Sequence, residues 1–212
     1  MSDACFDPDC RACPRLAAHL NRVSETHPDY HARPVPAFGD AVPRLLIVGL
    51  APGMHGANRT GRPFTGDYAG ILLYKTLHDL GLASQPEGKA RNDGLRLIDC
   101  RITNAVKCLP PDNTPTSSEV RRCNGYLRAE IEMLPAGAVV LALGAVAHRA
   151  VLMAMDLRPS GFPFAHGRLH RLTSGRRLVD SYHCSRYNTQ TRRLTPPMFK
   201  RALKRARDLA VR

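Results

Sequence analysis

Residues 45–67 read LLIVGLAPGMHGANRTGRPFTGD, and the fold follows from how this stretch divides. Leu45, Leu46, Ile47 and Val48 are an apolar run of strand length ended by Gly49, the pattern of a strand buried on both faces. Past Gly66, Ile71, Leu72, Leu73, Leu77 and Leu80 recur at helical spacing. Residues 49–67 are therefore a long loop leaving the carboxyl end of a strand, where open α/β sheets place their sites. Gly49, Gly53, Gly56, Gly61 and Gly66 allow close approach of backbone to a ligand. Phe64 offers a stacking face, Asn58, Thr60 and Thr65 polar groups, Arg59 and Arg62 cations, and Asp67 the one acid. The competing reading is an ordered omega loop with a structural role alone.

Outward from this stretch the chain alternates. Leu16, Leu20 and Val23 predict a helix from Arg15 to about Glu25, and the proline-rich residues 27–43 an extended connection. Helix 69–82 follows the loop; residues 83–94 read as loop or short helix. A second strand is centred on 100–106 and ends in the turn-rich KCLPPDNTPTSSE, with Ser117 and Ser118 as helix caps. Val120, Cys123, Leu127, Ile131 and Leu134 mark the next helix. Residues 138–143 predict a third buried strand, 145–156 a helix, and 169–172 with 177–182 a strand pair turning at Ser174-Gly175. After the polar loop HCSRYNTQTRRLTPP, Thr195 caps and Pro196 opens a last helix. The order predicts one three-layer α/β/α domain spanning 1–212 around a mainly parallel sheet.

Composition narrows the partners. Thirty-one Lys and Arg against 18 Asp and Glu leave a net charge of +13, which favours a polyanion. No apolar run is long enough to cross a bilayer, and the acidic start MSDACFDPDC is unlike a signal peptide, so a cytoplasmic enzyme is expected. Seven cysteines suit neither disulfides in that compartment nor ordinary packing. Cys10-x2-Cys13, with Cys108 and Cys123 far along the chain, can supply four thiolates to one metal centre.

Three polar loops, 49–67, 104–114 and 183–195, leave strand ends, and parallel strands bring such loops to one edge. Asp67, Asn104 and His183 are thus expected around one cleft. An amide both donates and accepts, suiting a base edge; a carboxylate can orient water; an imidazole can donate to a leaving anion. Each has a plainer reading: Asp67 as helix cap, Asn104 as a strand-end group, His183 and Phe64 as core. The P-loop, dinucleotide, nucleophile-elbow and zincin patterns are absent, as is the nucleobase-deaminase signature.

GLAPGMHGANRTGRPFTGD, TNAVKCLPP and YHCSRYNTQTRRLT together resemble the uracil-DNA glycosylase superfamily, specifically its family 5, the iron–sulfur type B enzymes. The resemblance runs from Cys10 through the last helix. It implies a 4Fe-4S cluster on Cys10, Cys13, Cys108 and Cys123, with zinc as the chemical alternative. It implies that uracil flipped out of DNA stacks on Phe64 and is read by Asn104, with Ala51 and Gly53 beside it. Asp67 would assist water attack at the sugar C1′, since Leu50, Ala51 and Pro52 supply no acid where sister families have one. His183 would stabilise the departing base anion; the following Cys184 departs from a His-Pro-Ser pattern in sister families. Arg59, Arg62, Ser185, Arg186, Tyr187, Asn188 and Gln190 would meet the DNA, with Tyr187 or Gln190 as the wedge. The expected protein is a monomer that meets single- or double-stranded DNA at the nucleoid, and its substrates extend to hypoxanthine or xanthine. Alternatives are a non-catalytic iron–sulfur binding module and a zinc-stabilised nucleotide hydrolase.

Overall fold

In a computed structural model the described residues are 6–172 and 175–210; Cys5 and the expected turn residue Ser174 lie outside them. Six strands form one sheet in the order β1-β3-β2-β4-β6-β5. These are β1 Phe38–Gly39, β2 Leu45–Gly49, β3 Cys100–Asn104, β4 Val139–Leu143, β5 Leu169–Arg171 and β6 Arg177–Ser181. The four central strands are parallel, while β1 and β5 close the edges antiparallel. The helices are α1 Pro14–Thr26, α2 Ala57–Thr60, α3 Tyr68–Asp79, α4 Ser117–Glu132, α5 Ala145–Ala154, α6 Arg186–Gln190 and α7 Pro196–Ala210.

Strand alternation sorts the core into two layers. Leu46, Val48, Val140, Ala142 and Leu178 pack with α1, α4 and α5. Leu45, Ile47, Leu141, Leu143 and Val179 face the other way, onto α3 and α7. Every residue of β2 and β4 is buried, as their uninterrupted apolar runs predict. Burial of each such side chain contributes about 1.5–3 kcal/mol.

Register places the chemistry. Gly49 pairs with Asn104 at the ends of β2 and β3, and Leu143 with Ser181 at the ends of β4 and β6. The key loop, Asn104 and the chain approaching His183 therefore emerge side by side.

Local details differ from the sequence expectation. The cap of α4 is Thr116, not Ser117 or Ser118; Thr116 and Glu119 form a reciprocal capping box. The loop after β6 contains α6, capped by Ser185. Residues 83–94 form no helix; the turn at 87–95 winds around Asp93, whose carboxylate accepts from the N–H groups of Lys89, Ala90 and Leu95. Among the described residues no helix is long and apolar enough to cross a membrane.

Candidate active site

A cavity of about 430 Å³ opens at the carboxyl edge of the sheet. Ala51, Gly53, Phe64, Asp67, Asn104, His183, Ser185 and Arg186, all expected from the sequence, line it. Volume and mixed lining suit a small organic ligand.

Glycine at 49 is what lets two of these groups converge. A Cβ there would overlap Asn104 Oδ1 and stand 2.7 Å from the Phe64 ring. Phe64 holds a left-handed backbone, φ 54°, unusual for a bulky residue and typical of functional loops. Its ring stacks toward His183, with centroids 5.9 Å apart and planes 28° from parallel. Asn104 is 2 % exposed, and its Oδ1 is buried with no hydrogen-bond partner. Unmet buried acceptors cost about 1–3 kcal/mol, so an N–H donor on a ligand would be well received there.

Asp67 does two things at once. Its Oδ1 caps α3, accepting from the Gly70 N–H at 2.7 Å. Its Oδ2 faces the glycine loop, and a Cβ on Gly56 would come within 2.6 Å of it. Burial raises the Asp67 pKa, while the N–H groups of Gly70 and Ala69 pull it back down. Burial lowers the His183 pKa to about 4, so the imidazole is neutral at neutral pH. The His183 carbonyl accepts from Asn188 Nδ2 at 2.8 Å.

The expected DNA-facing residues divide. Arg186 lies 5.1 Å over the Tyr68 ring at the cavity mouth. Tyr187 is 70 % exposed on α6, and Gln190 is exposed beside it. Asn188 turns inward to hold His183. Arg59 is exposed and bonds the His55 carbonyl. Arg62 corrects the expectation of a surface cation. It is buried, forked onto Asp93 at 2.8 and 2.7 Å, and packed over Phe38, so it braces the loop from beneath. The Arg62 hydrogen bonds, aided by three backbone donors, hold Asp93 well below the usual carboxylate range against the upward push of burial. Tyr68 and Asn113 also line the cavity and were not expected. Tyr68 was masked by the helical stripe it precedes; Asn113, at φ 53°, left only the signal of an Asn in a proline turn.

Behind the site a second cavity, of about 210 Å³, is lined by Cys10, Cys13, Cys108 and Cys123, with Leu16, Val106 and Tyr126. Lys107 N–H donates to Cys123 Sγ at 3.3 Å. Burial pushes Cys108 up to about 12 and Cys123 up to about 11. Elsewhere, His148, His170 and Asp180 are the one group among the described residues whose ligand atoms converge within 4.8 Å. Their separations of 2.7 and 2.9 Å are hydrogen bonds.

A base-sized pocket holding an aromatic face, an amide, a carboxylate and a neutral imidazole at one sheet edge belongs to enzymes that act on an extruded nucleobase. Residues 36–207 match the model of the Uracil DNA glycosylase superfamily, and the chain belongs to that superfamily, in its type-5 branch. It is 49 % identical to the type-5 uracil-DNA glycosylase of Thermus thermophilus over 95 % of this chain and 94 % of that one. The type-5 protein of Mycobacterium leprae is 43 % identical over 95 % of this chain and 91 % of its own length. A type-4 enzyme from Thermotoga maritima stands further off, at 33 % over 83 % of this chain and 76 % of that one.

Proposed function

We propose that this protein is a DNA-repair glycosylase that hydrolyses the N-glycosidic bond of uracil in DNA. The observation that carries the reading is the buried, unpartnered Asn104 Oδ1 in the cavity that also holds Phe64, Asp67 and His183. Uracil N3–H is a donor for that oxygen, and its ring fits against the Phe64 face. The C1′–N1 bond breaks with its electron pair going to the base. The neutral His183 donates a hydrogen bond to the anion that forms. Positive charge gathers on the sugar, the Asp67 carboxylate steadies it and takes a proton from water, and the oxygen of that water bonds to C1′. An abasic site and free uracil result. Ala51 and Gly53 are small residues in the cavity lining, which supports extending the substrates to other deaminated bases such as hypoxanthine or xanthine.

Four cysteines around one apolar cavity fit a 4Fe-4S cluster on Cys10, Cys13, Cys108 and Cys123. When bound, the cluster would supply a cross-link between the N-terminal segment and the chain that follows Asn104. The Lys107 N–H bond to Cys123 is the kind of contact that steadies a ligand sulfur.

Incubating the protein with uracil-containing oligonucleotides and then cleaving abasic sites in alkali tests the activity; intact strands would reject it. An absorbance shoulder at about 400 nm with iron and sulfide in equal amounts tests the cluster. Cys108→Ser should lose both colour and iron.

A further inference from the structure

We propose that Asp180 is a positioning residue for His183, acting through the buried hydrogen-bond network centred on its carboxylate. The proposal rests on the role just given to His183. Asp180 Oδ1 accepts from His148 Nδ1 at 2.7 Å, and Oδ2 from His170 Nε2 at 2.9 Å and the Ala165 N–H at 3.2 Å. The far nitrogen of His148 reaches the Phe162 carbonyl at 2.8 Å. Asp180 and the Phe162 carbonyl thus hold the His148 ring at both of its nitrogens. All three side chains are buried, and a buried carboxylate is tolerated only when so fully met.

The donors come from three separate pieces of the fold: α5, β5 and the loop at 162–166. They meet on β6, three residues before His183. The same pieces hold the steps between. Gly144, at the start of α5, donates its N–H to the Ser181 carbonyl at 2.8 Å. His166, on the 162–166 loop, accepts the Tyr182 N–H on Nδ1 at 3.1 Å. Gly144 itself lies against His183, where a Cβ would come within 3.5 Å of the histidine Cβ. Among the described residues no hydrogen bond reaches either ring nitrogen of His183, and only Phe64 stacks on its ring. The direction of the imidazole is therefore set by the backbone it hangs from. That backbone is oriented by the elements Asp180 gathers. Loosening them misaims the group that donates to the departing base anion, and a misplacement of about 1 Å costs about a hundredfold in rate.

The test compares single-turnover excision of uracil and of 5-fluorouracil from otherwise identical oligonucleotides. Fluorine makes the departing anion more stable, so help from His183 matters less for that base. His183→Ala should depress uracil excision about tenfold more than 5-fluorouracil excision, in keeping with one lost anion-stabilising donor. Asp180→Asn should reproduce that change in ratio, with KM near the parent value. If Asp180→Asn does not fold, His170→Gln, which removes one donor from Oδ2, should shift the ratio in the same direction by a smaller factor. Equal slowing of both bases in the folded variant would reduce the network to fold stability and overturn the proposal. An unchanged ratio in His183→Ala would overturn the role of His183 itself, and the positioning claim with it.

Discussion

At the scale of single residues, Asp67 shows that capping and chemistry need not compete. One carboxylate oxygen closes the first turn of α3 and the other faces the glycine loop at the cavity wall. Asn keeps the acceptor for the Gly70 N–H but loses the charge. Asp67→Asn should therefore retain thermal stability and DNA binding while turnover falls about 10²–10⁴-fold; an unchanged single-turnover rate would remove Asp67 from the mechanism. The pH profile follows from the same burial. Activity needs the carboxylate, and burial raises its pKa. As pH falls, the rate should decline at a higher pH than an ordinary aspartate would dictate. His183 should contribute no limb near neutrality, since it gains its proton only near pH 4. A rate that titrates with a midpoint near 6.5 would point to an unburied histidine instead. Asp67, Asn104 and His183 were legible because each follows directly on a strong pattern: the glycine loop or a buried strand. The aims of Asn104 and His183 were not, because those depend on Gly49 and Gly144, which lie far from them along the chain.

At the scale of elements, the central strands were readable and the braces between them were not. LLIVG and AVVLAL announce β2 and β4 by apolar content alone. The cap of α4 lies one or two residues before the expected Ser117 and Ser118 because Thr116, Ser117 and Ser118 are all competent, and only Glu119 decides which one closes the box. Arg62 shows a deeper limit. Among glycines and polar groups an arginine reads as a ligand contact, yet its partner Asp93 sits in a different loop and buries it. Removing one member of such a pair leaves an uncompensated charge. Arg62→Ala should lose about 3–5 kcal/mol in denaturant unfolding. Below its melting temperature the variant should bind DNA as the parent does, whereas Arg186→Ala should bind more weakly. Weakened binding in a stable Arg62→Ala protein would restore Arg62 to the DNA surface.

At the scale of the whole molecule, the proposed reaction divides recognition between the +13 charge and the small cavity at the sheet edge. The charge acts on phosphates, which every duplex carries; the cavity acts on a base only after it leaves the stack. The two contributions respond differently to salt. Phosphate contacts release counterions, so log K should fall linearly with log salt, by about 0.9 for each phosphate neutralised. That slope should be the same for undamaged and uracil-containing duplexes of equal length. Between the two lines there should be an offset that salt does not change, supplied by Asn104 and Phe64 in the pocket. Arg186→Ala should lower the slope by about one and leave the offset. Asn104→Ala should shrink the offset and leave the slope. Fluorescence anisotropy titrations at several salt concentrations, with Asp67→Asn used to prevent turnover, measure both quantities. Parallel lines that coincide would place discrimination in the chemical step rather than in binding. A shallow slope would mean that the arginines serve the fold more than the DNA, as Arg62 does.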